Sequence, residues 1–454
     1  MEVLKNIGVL FYVVNPYESL FEKPEDLPNP DWITRAVPYL YGSIILESII
    51  YAVSGRKNPP RFTDGINSLT HGVFLLIRNI LIKSLTNLPY FYIYEHYKIY
   101  ALPWDSVWTW LIAMVAIDFC YYWVHRAAHE IGFLWSAHQV HHSSEDYVLS
   151  TALRQSVFQE FGAFAFYLPM AFFIPPSHKL VHDQFNLLYQ FWIHTELIQD
   201  LGPLNYIFNL PRHHMVHHGA NRYCLDKNYG GFLIIWDQLF GTFEDLRSDE
   251  EIVYGLVDHP QFFDPIKHQL FYYKLLWDKA ASMDTWKDSF FAFIKGPGWF
   301  PGTPWTGDMS CVPEVPNRKK YDPQISFGSK VYIFTHFNVT IYILEAFSRV
   351  DQSLSQSTFT GIIFLLIASL TSFGYICDKK PNAWILEALR CLLFLTGYNV
   401  FGGRNDEGVL SFCPIPRILV NALFIISIAT SGLQYASSRM EKKRYNKHQF
   451  TKKI

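Results

Sequence analysis

The sequence predicts an all-α, polytopic membrane bundle carrying a histidine-rich di-metal site that faces the cytosol. Three observations predict it. Half of the 454 residues are hydrophobic and only 17% are charged, several apolar runs approach membrane-spanning length, and histidines recur at helical spacing. Soluble domains are roughly 25% charged, and long apolar runs rich in Trp and Tyr suit a bilayer with aromatic belts. A formal net charge of −2 gives no electrostatic footprint for nucleic acid. The six cysteines are scattered and form no CxxC pair, which argues against a zinc ribbon or redox dithiol and for buried thiols.

Residues 1–36 read as a Pro-rich, partly acidic segment without the charged start and apolar core of a cleavable leader. Apolar stretches follow at 37–54, interrupted by Glu47, and at 66–94, broken by Arg78 and Lys83 and so expected to bend. The Trp- and Tyr-rich stretch 107–124 runs straight into histidines. Residues 158–174 form another apolar stretch, closed by Pro175 and Pro176, and 185–198 is short enough to read as a buried or re-entrant helix. A catalytic part is thus expected over 37–260. Residues 261–330, polar and punctuated by Gly296-Pro-Gly298 and Pro301-Gly-Thr-Pro304, read as a linker with some helix. Four apolar stretches (331–347, 358–377, 383–401 and 418–435) predict C-terminal membrane helices over 331–436, and 437–454 is a basic tail. Its lysines and arginine, Lys442 to Lys453, place it in the cytosol by the positive-inside rule. The final Thr-Lys-Lys-Ile stands one position off a dilysine retrieval pattern, and an endoplasmic reticulum membrane is the expected location.

Twelve of the 18 histidines lie between His125 and His218. They form His125-Arg-Ala-Ala-His129, then His138-Gln-Val-His141-His142, a lone His194, and His213-His214-Met-Val-His217-His218. Residues three and four apart share a helix face, so each group offers two or three imidazoles to one point. Converging helices of this kind surround two metal ions with about nine nitrogens. Neutral imidazole binds iron, zinc, copper and nickel alike, so these residues leave the metal open. Carboxylate di-iron proteins use Glu-x-x-His pairs, which are absent, as is HExxH. Around the groups, Asp118, Tyr122, His125 and His129 form one helical stripe, so Asp118 either orients an imidazole or bonds to Tyr or Arg. Asp226, Asn228 and Asp237 are positioned to fix loops and ligands. His178 and His182 read as interface residues; His259, His268 and His336 read as structural.

The order HxxxH, HxxHH, lone His, HxxHH resembles the fatty acid hydroxylase superfamily of membrane non-haem di-iron oxidases, over about residues 108–243. The resemblance implies that His125, His129, His138, His141, His142, His194, His214, His217 and His218 hold two irons, with Glu130 as an acid needed for activity; His213 stands outside the set, as ligand, supporting group or spare. The chain layout, including Glu130, the stretch from Asn228 to Asp237 and the added C-terminal helices, is similar to the superfamily's ether-lipid-cleaving branch. That branch implies a monooxygenase that hydroxylates the ether-linked alkyl carbon of glyceryl ethers with O₂, giving a fatty aldehyde and a glycerol derivative. No GxGxxG follows a strand and no His-Pro-Gly-Gly haem signature occurs, so the reductant is external. The resemblance implies tetrahydrobiopterin, for which no motif marks a pocket. A sterol or fatty acyl hydroxylase or desaturase would share the iron site. A membrane metal transporter would place its histidines mid-span, whereas these groups follow the ends of apolar stretches.

Overall fold

The computed structural model describes residues 2–29, 31–55, 59–82, 85–315, 318–350, 354–401 and 417–451. Among the described residues the secondary structure is helical, with only isolated β-bridges. The chain divides into two compact units. The first holds residues 1–75, 82–260 and 269–320; the second holds 76–81, 261–268 and 321–454.

The first unit opens with α1 (Glu2–Val9) and α2 (Trp32–Val53), whose first turn is capped by Asp31, accepting from the Thr34 amide at 2.8 Å. The apolar stretch 66–94 is two helices, α3 (Phe62–Ile82) and α4 (Leu88–Tyr97); of the breaks expected at Arg78 and Lys83, Arg78 lies within α3 and does not interrupt it, and Lys83 is outside the described residues. Ser106 caps α5 (Val107–Glu130), which ends at Ile131 in extended backbone and gives way at once to α6 (Gly132–His142). Gly132 makes that reversal possible. A Cβ there would lie 2.9 Å from the Ala292 carbonyl and 3.1 Å from that of Lys295, and the Gly132 amide donates to Lys295 at 2.7 Å. Residues 158–174 do not make one straight helix. A short α7 (Gln159–Ala163) passes into a 3-10 helix over Phe164–Phe172 that contains Pro169. The remaining helices of this unit are α8 (Pro176–Trp192), α9 (Pro211–His217), α10 (Ile235–Phe240), most of α11 (Pro265–Ala281) and α12 (Trp286–Ile294). The last two occupy the polar stretch 261–330.

Burial decides the place of α8. Its apolar face, with Phe185, Leu188 and Tyr189, packs in a core shared with Tyr12 and Trp110. His178 and His182 are fully buried on this helix, and the Tyr12 hydroxyl lies 2.7 Å from His182 Nδ1. They are core residues rather than interface residues, because Tyr12 and Trp110 close over the face that the sequence leaves open.

In the second unit α13 (Phe327–Val350), α14 (Gln356–Cys377), α15 (Ala383–Phe401) and α16 (Arg417–Thr451) form a bundle. Its interior is polar at one level. Glu387 accepts from Arg390 Nε at 2.9 Å and Ser372 Oγ at 2.7 Å, Arg390 lies 3.0 Å from His336 Nδ1, and His336 Nε2 lies 2.8 Å from Ser427 Oγ. His336 of α13, Ser372 of α14, Glu387 and Arg390 of α15 and Ser427 of α16 are thereby joined, and His336 is structural. Among the described residues five helices are long and apolar enough to cross a membrane: α2, α3, α5, α14 and the Arg417–Ser437 part of α16. The chain is a multi-pass membrane protein.

One buried carboxylate fastens α5 to what surrounds it. Asp118 accepts from the Phe232 amide (2.7 Å), the Leu233 amide (3.0 Å), Trp236 Nε1 (2.9 Å) and Asn186 Nδ2 (3.0 Å). Neither an imidazole, a Tyr nor an Arg is among these partners, so Asp118 holds the loop before α10 instead of a histidine. Gly231 permits the approach, since a Cβ there would sit 2.7 Å from the Tyr121 ring and 3.1 Å from Asp118 Oδ1. Asp118→Ala orphans several buried donors at about 1–3 kcal/mol each. We expect it to lower the thermal unfolding temperature of the detergent-solubilised protein by several degrees or more, and Gly231→Ala to lower it as well; unchanged melting in both would contradict this anchor.

Candidate metal centre

Nine imidazoles meet in the buried interior of the first unit. His125 and His129 come from the last turns of α5, and His138, His141 and His142 from α6. His194 follows α8 by two residues, His214 and His217 lie on α9, and His218 caps that helix. Among the described residues their nitrogens fall into two groups, each with ligand atoms within 4.8 Å of one another. One is His125, His129, His138, His142 and His217; the other is His141, His194, His214 and His218. These are the nine that the sequence singles out, and α6 and α9 each contribute to both groups because adjacent HxxHH positions fan across a helix face.

The rings are aimed by their outer nitrogens. His125 Nδ1 donates to the Tyr229 carbonyl at 2.8 Å, His141 Nδ1 to Arg154 at 3.1 Å, His194 Nδ1 to Gln190 at 2.6 Å and His217 Nδ1 to Lys227 at 2.8 Å. His138 Nδ1 donates to Gln159 Oε1 at 3.2 Å. A proton on Nδ1 leaves Nε2 as a lone pair, and the Nε2 atoms converge. Separations are 3.1 Å for His125–His138, 3.2 Å for His138–His142, 3.0 Å for His194–His214 and 3.2 Å for His141–His194. Nε2 of His129 and of His217 are buried without any hydrogen-bond partner. Lone pairs facing one another in a dry interior repel, and a cation among them removes that cost. The donor set therefore fits metal ions, one in each group, with imidazole tethering of the kind that metal-bound histidines show.

Several supports lie in the loop after α9. Asp226 (φ 58°) and Asn228 (φ 57°) adopt left-handed backbone, a conformation costly for residues other than glycine but tolerated best by Asn and Asp. They flank Lys227, whose carbonyl meets His217. Asn228 Nδ2 donates to the His213 carbonyl at 2.9 Å, and Asp237 accepts from the amides of Tyr229 at 2.7 Å and Gly230 at 2.8 Å. On the other side Arg154, fully buried, donates to Asp64 at 3.0 Å and Ser143 at 3.0 Å while its carbonyl holds His141. Sequence reasoning missed Arg154, although a lone Arg twelve residues beyond His142 is the kind of charge that has to be paired if buried.

Glu130 does not point at the nine. Its carboxylate accepts from Arg126 Nε at 2.8 Å; Asp226 is the acid that faces His129 Nδ1, at 3.8 Å. Desolvation, helped by Glu130, pushes the Asp226 carboxyl up to about 7. His213 lies outside both groups. Its Nδ1 accepts from the Leu210 amide at 3.3 Å, so it caps α9. Burial pushes His138 and His194 down to about 4 and His217 to about 3, which keeps them neutral and free to ligate across the physiological range.

Beside the five-histidine group, between α5, α6, α7 and α11, lies a cavity of about 440 Å³. Ala128 and Ala137, neighbours of His129 and His138, form its inner wall, and Phe161, Phe166 and Leu270 are among its outer lining.

Helical scaffold and histidine set define the class first: residues 110–242 match the fatty acid hydroxylase family, and residues 329–403 match the alkylglycerol monooxygenase C-terminal domain. Alkylglycerol monooxygenase from Homo sapiens is 43% identical over 399 residues, covering 88% of this chain and 89% of its own. The protein of the same name from Xenopus tropicalis is 41% identical over 97% of both chains, and that from Caenorhabditis elegans 36% identical over 94% of this chain and 87% of its own. The chain belongs to the alkylglycerol monooxygenase family. No solved structure matches it.

Two outcomes are expected from this geometry. His217→Ala strips metal from the purified protein, whereas His213→Ala keeps it, as read by metal per chain; loss of metal in His213→Ala would overturn the division. The second concerns acid. Unfolded histidines titrate near 6.5, while His138 and His194 in the fold titrate at about 4, so protons bind the unfolded chain first as pH falls. Chelator-treated protein should therefore lose stability progressively from about pH 6.5 towards about pH 4, measured by thermal unfolding; a flat profile through that window would contradict the buried neutral imidazoles.

Proposed function

We propose that this chain is a monooxygenase that oxidises the ether-linked alkyl carbon of glyceryl ether lipids, with two irons held by the nine histidines and electrons from tetrahydrobiopterin. The observation that carries the reading is the apolar cavity set against the five-histidine group in a membrane protein. A long alkyl chain fits such a space, whose volume lies within the roughly 300–1,000 Å³ of ligand pockets. The family supports the ether: its relatives named alkylglycerol monooxygenase match both the histidine part and the C-terminal part of this chain.

The overall reaction balances as one C–H bond and O₂ giving a C–OH and water. Two of the four electrons come from the C–H bond and two, with two protons, from the reduced pterin. Irons bound among the imidazoles supply the redox chemistry that activates O₂. The rest falls to the chain's own residues. Outward Nδ1–H tethers hold the rings of His125, His138, His141, His194 and His217, so more than half of the donor set is organised beforehand. Ala128 and Ala137 keep the inner end of the cavity small and apolar, excluding water from the carbon under attack. The product, a hemiacetal, collapses to a fatty aldehyde and a glycerol derivative. Glu130 with Arg126 and Asp226 forms a polar edge beside His129, apart from the apolar cavity, and this is where we place the acid needed for turnover. An endoplasmic reticulum membrane, with the histidine side and basic tail in the cytosol, gives a soluble pterin access.

The test is product analysis on protein in lipid nanodiscs. With an alkylglycerol, O₂ and tetrahydrobiopterin, fatty aldehyde and glycerol should form in equal amounts, and a chelator or omission of the pterin should stop both. Glu130→Gln should keep its iron and lose about 10–100-fold in turnover. Aldehyde formed by chelated protein would refute the reading.

A further inference from the structure

His138 differs from the other tethered imidazoles. Those of His125, His141, His194 and His217 are held by backbone carbonyls, which the fold supplies whatever the side chain. Nδ1 of His138 donates to a side chain, Oε1 of Gln159 at 3.2 Å. Gln159 also lines the apolar cavity, where Tyr273 is the other side chain able to hydrogen-bond. The carboxamide is fixed in orientation: Nε2 of His138 lies 3.1 and 3.2 Å from two other imidazoles of its group, so Nδ1 carries the proton and the oxygen of Gln159 must face it. The amide nitrogen of Gln159, with two N–H donors, is left without a hydrogen bond to any described residue, and it is the polar group that Gln159 has left to offer the cavity it lines.

This placement meets a physical need. An alkyl chain in an apolar tube has no register, because sliding by one methylene exchanges equivalent contacts and a hydrophobic pocket discriminates weakly between neighbours. A reaction confined to one carbon requires a polar mark on the substrate and a partner for it in the wall. Resting on the function proposed above, we infer that Gln159 recognises the ether oxygen of the substrate. Its oxygen orients His138 towards the metal group, and its N–H donates to the ether oxygen, which accepts but cannot donate. The carbon bonded to that oxygen is then held beside the five-histidine group. One residue thus couples the aim of a histidine to the position of the substrate. The class of ligand is an ether whose oxygen is reached through one long alkyl chain, and a saturated chain of the same length lacks the mark.

Two variants separate the functions of the carboxamide. Gln159→Glu keeps an acceptor for His138 and removes the N–H donor; Gln159→Met keeps the shape and removes both. The substrates are an alkylglycerol and its analogue with CH₂ in place of the ether oxygen. Wild-type protein should oxidise the ether at one carbon and the analogue at several. Gln159→Glu should retain metal, raise KM for the ether about tenfold, the loss expected for one hydrogen bond, and scatter oxidation along the chain. Gln159→Met should in addition release metal to a chelator about 10–100-fold more readily, a readout independent of turnover. Wild-type KM and single-site oxidation in Gln159→Glu would overturn the inference, and this variant decides alone if Gln159→Met does not fold. Wild-type protein that holds metal but leaves the ether intact would overturn the proposed function, and this inference with it.

Discussion

Imidazole lone pairs brought together away from water are the constraint on which the first unit is built. Each Nε2 that faces its neighbours across about 3 Å stays there only if its ring cannot turn, and a ring is stopped from turning by a bond at its other nitrogen. The surrounding chain supplies such bonds to His125, His138, His141, His194 and His217. The loop after α9 takes two left-handed residues in three to present carbonyls to His217 and His125, and Asp237 and Asp118 hold that loop by its amides. Arg154 is buried beside Asp64 so that the segment after α6 can offer its carbonyl to His141. Much of the buried polar content of this unit is thus a scaffold for nine rings, which explains why so many charged and amide groups sit in the interior of a membrane protein.

The histidine positions were legible because they obey the helical repeat, and spacings of three and four leave little choice of face. Their division into a group of five and a group of four was not, since it depends on how α5, α6, α8 and α9 cross. Helices α2, α5, α14 and α16 follow from apolar length, whereas the charge at Arg78 does not break α3, which runs on to Ile82. Other features are set by partners distant in sequence. Asp118 shares a stripe with His125, yet its partners are the amides of Phe232 and Leu233, which no local pattern announces. His178 and His182, beside a proline pair, give no local sign of burial; Tyr12 packs onto His182, and both rings are fully buried. Gln159 falls within an apolar stretch whose regularity Pro169 and the 3-10 turn destroy; the polar pair Gln159-Glu160 between Phe158 and Phe161 is the available signal.

The second unit solves a different problem with similar means. An Arg and a Glu one turn apart on α15 would be costly among apolar helices if unpaired. They are paired with each other and tied to α13, α14 and α16 through Tyr332, Ser372, His336 and Ser427. Every helix of that bundle contributes at least one group, so the network fixes which faces meet, a task that interchangeable leucines do poorly.

The outer lining of the cavity has a kinetic consequence. Phe133, Phe158, Phe161 and Leu270 are all substantially exposed, an apolar rim through which, on the proposed function, a lipid enters from the bilayer. A molecule entering there arrives by lateral diffusion in two dimensions. The quantity that sets its encounter rate is its mole fraction in the surrounding leaflet, so adding inert lipid slows the protein at constant total substrate, while changing the aqueous volume does not.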